Sequence, residues 1–397
     1  MSNIRPFKVV VPETDIQTLN QKLLESRLPD ESADSWDRGT PLKDIRRISK
    51  YWLETFSWRS FEERLNQLPQ FEATISVDGF DPLQVHFIHQ RSSASDAIPL
   101  LFIHGWPGSF YEVVKCLPLF AESENSGGPA FHVIAPSLPN FGFSSRIDKP
   151  GFSLKQYAET CHNLMLGLGY DRFACQGGDW GSQISRLLGV FYPQSLRAIH
   201  LNLIAANPPP PTSPVKYIRY LLTHLLNWYT PQEASGLQAV RDYQENGNGY
   251  MQIQKQRPNT IGIALADSPV ALLAWIYDKL VTWTDEYPWT EDEVCEWVSL
   301  YWFSRAGPAA SVTIYHEAFK GNRPPGATPA SPSVKMGFSY FPKELVGTPR
   351  FWNRQIGDVV FEREHESGGH FAAWEKPEAL VGDLRTMFGR GGGVHSL

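Results

Sequence analysis

Apolar positions change their spacing several times along the chain. In residues 13–27, Ile16, Leu19 and Leu23 recur at helical spacing, with Thr14 as a candidate cap and Pro29 as a stop. A second, aromatic-rich helical stretch runs from about residue 41 to 68. The period then drops to two: residues 71–77 and 83–89 alternate on either side of Asp78-Gly79, a hairpin signal. Short apolar runs at 100–103, 131–135, 173–176 and 198–203 predict buried strands, and helical segments such as 154–168 and 181–192 separate them. Strands alternating with helices predict βαβ units and a largely parallel sheet, an α/β fold.

The alternation breaks at Asn207-Pro208-Pro209-Pro210-Pro211, a stiff exit from the core. Residues 212–320 read as helical with no convincing strand, and a Pro/Gly/Ser-rich stretch at 321–333 leads back to strand-like runs at 334–339 and 359–364. The simplest division is an N-terminal meander with the first hairpin (1–92), the first half of an α/β core (93–211), an inserted helical lid (212–320), and the second half of the core (321–397). The Gly-rich tail, 389–397, reads as disordered.

Composition narrows the function. With 42% hydrophobic residues the 397-residue chain has a globular balance, and 36 Lys+Arg against 42 Asp+Glu leaves no basic excess for nucleic acid. Cys116, Cys161, Cys175 and Cys295 are scattered without metal-ligand spacing, which predicts a reducing compartment and no bound metal. No signal peptide is legible in residues 1–20, and no run approaches the ~18 apolar residues that span a bilayer, so a soluble cytoplasmic protein is expected.

The chemistry lies in three short motifs. Gly177-Gly178-Asp179-Trp180-Gly181-Ser182 falls between a strand and a helix, where small residues permit a sharp turn that raises one side chain above a sheet. Ser usually holds that position; here it is Asp179, a carboxylate able to attack carbon and form an ester. A plain turn with an N-capping Asp is the alternative. Ser182, three residues further on, is misplaced for a Ser nucleophile. His104-Gly105-Trp106-Pro107-Gly108-Ser109 follows an earlier strand; Pro107 has no N–H, so the Trp106 N–H is a candidate oxyanion donor, with that of Trp180 as the second. His370, in Gly368-Gly369-His370-Phe371, follows the last strand, as the order nucleophile, acid, His requires; His365 is its rival. The acid between them is Glu344 on a loop after a strand, with Asp358 as the alternative at the start of the next strand.

These motifs, with Arg27-Leu28-Pro29, Gly39-Thr40-Pro41-Leu42, Tyr51-Trp52 and Pro69-Gln70-Phe71, resemble the epoxide hydrolases of the α/β-hydrolase fold, in particular the microsomal type and its soluble fungal relatives. The resemblance spans essentially the whole chain, though the anchor of the membrane-bound members is not seen. It implies a small-molecule epoxide and water as reactants, no cofactor, and a homodimer. It also implies two lid tyrosines on the epoxide oxygen, matched here by Tyr250 and Tyr315 among the nine tyrosines of 212–320. Two rivals stand beside it. A haloalkane dehalogenase would use the same Asp, and a ligand receptor would keep the site without turnover.

Overall fold

The computed structural model describes residues 3–30, 35–125, 127–320 and 331–394. Among them, nine strands form one sheet: β1 (Arg5–Pro6), β2 (Gln70–Ile75), β3 (Leu83–Gln90), β4 (Ile98–Ile103), β5 (Phe131–Pro136), β6 (Phe173–Gly177), β7 (Leu196–Leu201), β8 (Ser331–Tyr340) and β9 (Gly357–Glu364). Their spatial order is β1-β2-β3-β5-β4-β6-β7-β8-β9. The first three join antiparallel, β3 meets β5 antiparallel, and every later pairing is parallel. Because helices cover both faces of the parallel part, its strands read as unbroken apolar runs, and Leu100, Leu101, Ile103, Phe173, Ala174, Ile199 and Leu201 are fully buried.

The hairpin forms with Ile75 opposite Leu83, and Gly79 turns at a φ of +79°. Elsewhere the local structure corrects the pattern. The first helix is Glu13–Leu24 and starts after Pro12; Thr14 lies inside it, its hydroxyl on Asp15 rather than on a free N–H. The stretch read as one helix from 41 to 68 is two, Leu42–Glu54 and Trp58–Leu65, because the Ser57 side chain accepts from the Ser60 N–H and starts a new helix. The last predicted strand of the first half-core sits two residues earlier, at Leu196–Leu201.

No strand forms in residues 212–320; the elements there are helices, from Pro214–Leu225 to Thr313–Phe319. Residues 321–330 of the expected linker lie outside the described residues, and Ser331–Ser333 belong to β8. The tail departs from the disorder expected of it. Val394 is buried, its N–H bonds the Met387 carbonyl at 3.2 Å, and Gly393 lies so close to Val360 that a Cβ would clash. Residues 395–397 lie outside the described residues.

The N-terminal helices brace the helical region. Trp52 is buried with its indole N–H on Ser299 Oγ at 3.1 Å, and the Trp58 ring packs on Phe303 at 4.5 Å. Truncating a buried Trp of this kind costs about 3–5 kcal/mol. Among the described residues no single helix is long and apolar enough to cross a membrane.

Candidate active site

The turn after β6 raises Asp179. Gly178 is extended, Asp179 takes a left-handed φ of +43°, and the helix Asp179–Phe191 begins at once. That conformation costs a non-Gly residue about 1–3 kcal/mol, so the surroundings must impose it. Two glycines do so. A Cβ on Gly181 would stand 2.0 Å from the Ile103 carbonyl, so only glycine lets the helix press against the end of β4. A Cβ on Gly105 would stand 2.0 Å from Asp179 Oδ1, in the space the carboxylate occupies. The Trp106 N–H donates to that same Oδ1 at 2.8 Å. The first helical bond runs from the Ser182 N–H to the Gly178 carbonyl, which leaves the Trp180 N–H unclaimed by the helix. Ser182 itself is buried on that helix.

The motif around His104 is no surface turn. His104 is buried, its Nδ1 bonding the Gly105 carbonyl at 2.9 Å and its Nε2 accepting from the Leu138 N–H at 3.1 Å. Burial pulls its pKa down to about 4 against the weaker pull of the Gly105 carbonyl and Asp179, so it is a neutral pin for the loop. The helix Glu291–Trp302 holds the same loop from above: the Trp297 indole donates to the Pro107 carbonyl and the Tyr301 hydroxyl to that of Gly108, each at 2.6 Å.

His370 Nε2 lies 3.4 Å from Asp179 Oδ2, and its Nδ1 lies 2.6 Å from Glu344 Oε1. Its backbone N–H donates to the Trp283 carbonyl at 2.9 Å. Burial pulls the His370 pKa down, but the Glu344 and Asp179 carboxylates outweigh it and hold the imidazole well above its ordinary value. The structure thus brings Glu344 to His370. Asp358 instead sits on β9 in an exposed pair with Lys335. His365 lies 2.6 Å from the buried Asp383, which also accepts from the Ser339 hydroxyl and Arg363, and His365 does not reach Asp179.

Tyr250 and Tyr315 close the site from the helical region. They line, with Asp179, Trp180, Leu203 and Met251, a cavity of about 420 Å³. The Tyr250 ring stacks on Trp106 at 5.3 Å, and Tyr315 stands edge-on to Trp180 at 4.9 Å. Burial first, then Asp179 and neighbouring tyrosines, raises both phenols well above their ordinary value, so both are protonated acids at any working pH. The Tyr315 hydroxyl completes no hydrogen bond of normal geometry, although Tyr250 and the Trp180 indole are near enough to influence its titration. A larger surface cleft of about 620 Å³, between residues 7–12 and 302–308, contains none of these groups.

Two residues of the site escaped the sequence reading. Tyr243 lines the same cavity with its hydroxyl 2.8 Å from that of Tyr250; the signal was its position seven residues earlier, two helical turns away. Glu112 packs against Gly108, and burial together with Asp179 pushes its carboxyl up to about 8. Its signal was hidden, because Ser109-x-x-Glu112 reads as an ordinary helix cap and the carboxylate does face the Ser109 N–H. Among the described residues no cluster of three or more His, Cys, Asp or Glu could hold a metal ion.

Comparison with known proteins bears on this arrangement. The family described as "Epoxide hydrolase N terminus" matches residues 4–113, and that described as "alpha/beta hydrolase fold" matches residues 98–234. A Stigmatella aurantiaca protein named as a candidate epoxide hydrolase is 36% identical over 97% of this chain and 84% of its own length. Epoxide hydrolase 1 of Sus scrofa is 33% identical over 98% of this chain and 89% of its own. The structure of Aspergillus niger epoxide hydrolase superposes with a TM-score of 0.82 at 35% identity, covering 96% of this chain and 94% of that one. Near-complete coverage at this identity leaves one assignment: the chain belongs to the epoxide hydrolase family of the α/β-hydrolase fold.

Proposed function

We propose that this chain converts an epoxide and water into a vicinal diol in two steps, through an ester on Asp179. The observation that carries the reading is the setting of the Asp179 carboxylate: Oδ1 on the Trp106 N–H, Oδ2 beside His370 Nε2, and two protonated phenols lining the same cavity. In the first step Oδ2 attacks an epoxide carbon, the C–O bond breaks, and a tyrosine among Tyr250 and Tyr315 gives its proton to the leaving oxygen. An alkoxide is a poor leaving group without such a donor.

Esterification removes the charge of Asp179. That charge is one of the two holding His370 protonated, so its loss lowers the imidazole pKa; His370 gives its proton up to the phenolate left by ring opening, which restores the phenol, and becomes a base when a base is needed. His370, oriented by Glu344, then takes a proton from water as the water attacks the ester carbonyl. The negative charge gathers on Oδ1, which faces the Trp106 N–H, with the Trp180 N–H as the second donor. The tetrahedral species collapses, His370 returns its proton to the departing diol oxygen, and the carboxyl proton of Asp179 passes to His370, so that the carboxylate and the imidazolium of the starting state are restored.

Leu203, Val240, Met251 and Trp352 in the cavity wall favour an apolar epoxide, aryl or bulky alkyl. Four free, buried cysteines support a reducing, cytoplasmic setting. The test is a single turnover of excess enzyme with an aryl epoxide in oxygen-18 water. Heavy oxygen in the Asp179 peptide, with light carboxylate oxygen in the diol, is the expected result. Heavy oxygen in the diol alone would mean direct attack by water and a different nucleophile. Halide release from a haloalkane without diol formation would favour the dehalogenase reading.

A further inference from the structure

The two phenols of the site do not have the same neighbours. The Tyr315 hydroxyl has no hydrogen-bond partner of normal geometry, whereas the Tyr250 hydroxyl lies 2.8 Å from that of Tyr243. Tyr243 opens a short π-helical turn, Tyr243–Gly247, between the helices Pro231–Asp242 and Gly249–Gln256. Such turns interrupt the regular helical advance and are frequent at functional sites. Here the turn sets the Tyr243 ring into the wall of the Asp179 cavity, on the same side as Tyr250.

Each phenol has one proton. While Tyr250 donates to the epoxide oxygen it cannot also donate to Tyr243, so the 2.8 Å contact is kept only if Tyr243 donates to Tyr250. A phenol that accepts a hydrogen bond as it gives up its own proton is stabilised as the phenolate, and a chain of donors polarises each member. The Tyr250 hydroxyl and the Trp180 indole also face the Tyr315 hydroxyl, but neither makes a bond of normal geometry to it, unlike the 2.8 Å contact of Tyr243 with Tyr250.

We propose that Tyr243 is a positioning residue whose hydroxyl donates to Tyr250 during ring opening and makes Tyr250, rather than Tyr315, the acid that gives up its proton. Tyr315 then orients the epoxide oxygen without losing its proton. The balance is that of the first step above: the Asp179–carbon bond forms, the carbon–oxygen bond of the ring breaks, and the Tyr250 proton moves to that oxygen. This inference rests on the reading of Tyr250 and Tyr315 as the acids of that step.

The experiment is rapid quenching of single turnovers with styrene oxide, with the esterified Asp179 peptide measured by mass spectrometry. The proteins compared are wild type, Tyr243→Phe, Tyr250→Phe, Tyr315→Phe and the doubles Y243F/Y250F and Y243F/Y315F. Loss of one charge-assisted hydrogen bond predicts ester formation about tenfold slower in Y243F, with ester hydrolysis within about twofold of wild type. Y243F/Y250F should match Y250F, because the second hydroxyl acts only through the first, while Y243F/Y315F should show the product of the single effects. Ester formation at the wild-type rate in Y243F would overturn the proposal. So would a Y243F/Y250F double slowed by the full product, or a parallel loss of both steps with a lowered Tm. A Y250F variant with normal ester formation would instead overturn the underlying assignment of Tyr250 as an acid.

Discussion

Asp179 is held by backbone: the end of β4 against Gly181, the Gly105 main chain under its carboxylate, and the Trp106 N–H on Oδ1. Tyr250 and Tyr315, across the cavity, are held by side chains: the Tyr250 ring stacks on Trp106, the Tyr315 ring stands edge-on to Trp180, and one phenol contact joins Tyr250 to Tyr243. The difference matches the demands of the chemistry. A nucleophile and an oxyanion donor must be placed to fractions of an ångström and need the rigidity of a sheet. Acids that meet substrates of varied shape can sit on helices whose packing adjusts. On the mechanism proposed above, the sheet side of the site sets the reaction type and the helical side lines the space the substrate enters.

The sharpest break of this comparison is at the nucleophile. Asp179→Ala should lower turnover by about 10⁴-fold or more while the fold persists, because the glycine contacts that shape the turn remain. Turnover above about 1% of wild type, with an unchanged Tm, would remove Asp179 from its place.

Next is the base. His370→Gln should lower steady-state turnover by about 10²–10⁴-fold and leave the ester on Asp179 to be trapped by acid quench. Absence of that ester would count against the two-step scheme. Glu344→Gln should lose less, and its pH profile carries the sign. Glu344 is one of the charges raising the His370 pKa, so removing it lets the imidazole deprotonate at lower pH. The acid limb of ester hydrolysis should therefore shift to lower pH; a limb that stays or moves up would sever the pair.

On the helical side, Tyr315→Phe should slow ester formation by about tenfold and shift the ratio of regioisomeric attack on an unsymmetrical epoxide, with ester hydrolysis little changed. A variant that alters hydrolysis and leaves ester formation intact would place Tyr315 in the wrong half of the reaction.

The smallest effect concerns stability. Glu112 has a folded pKa of about 8 against an ordinary 4.5, so it stabilises the fold fully below about pH 4.5 and loses that contribution as pH rises towards 8. Glu112→Gln should flatten this slope by about 2–4 °C of Tm between pH 5 and 8, read by scanning calorimetry of both proteins. Parallel Tm curves would show that Glu112 stays ionised throughout.

Legibility in the sequence followed the distance over which each feature is determined. The elbow was readable because Gly177, Gly178 and Gly181 flank Asp179 within five residues, and the hairpin because Asp78-Gly79 lies between two alternating runs. His370 was readable from chain order. The sequence favours Glu344 over Asp358 because Glu344 lies on a loop after a strand while Asp358 begins the next one, but the contact itself, Glu344 on His370 and Asp358 turned towards Lys335, exists only in the folded sheet. The Trp297 and Tyr301 contacts to the Pro107 and Gly108 carbonyls span about 190 residues, beyond any local pattern.

By itself the sequence determined the local chemistry: a carboxylate at a strained turn, a donor loop after a strand, a histidine after the last strand, and the alternation that makes a parallel sheet. Those follow from steric and hydrogen-bonding rules acting over a few residues. Only the tertiary structure decided the 2.6 Å approach of Glu344 to His370, the meeting of Tyr243 with Tyr250 in the wall of the Asp179 cavity, and that the tail from Gly389 to Val394 packs back towards Val360. These depend on burial and on contacts between segments far apart in the chain, whose free energies exist only once the sheet and its helices have come together.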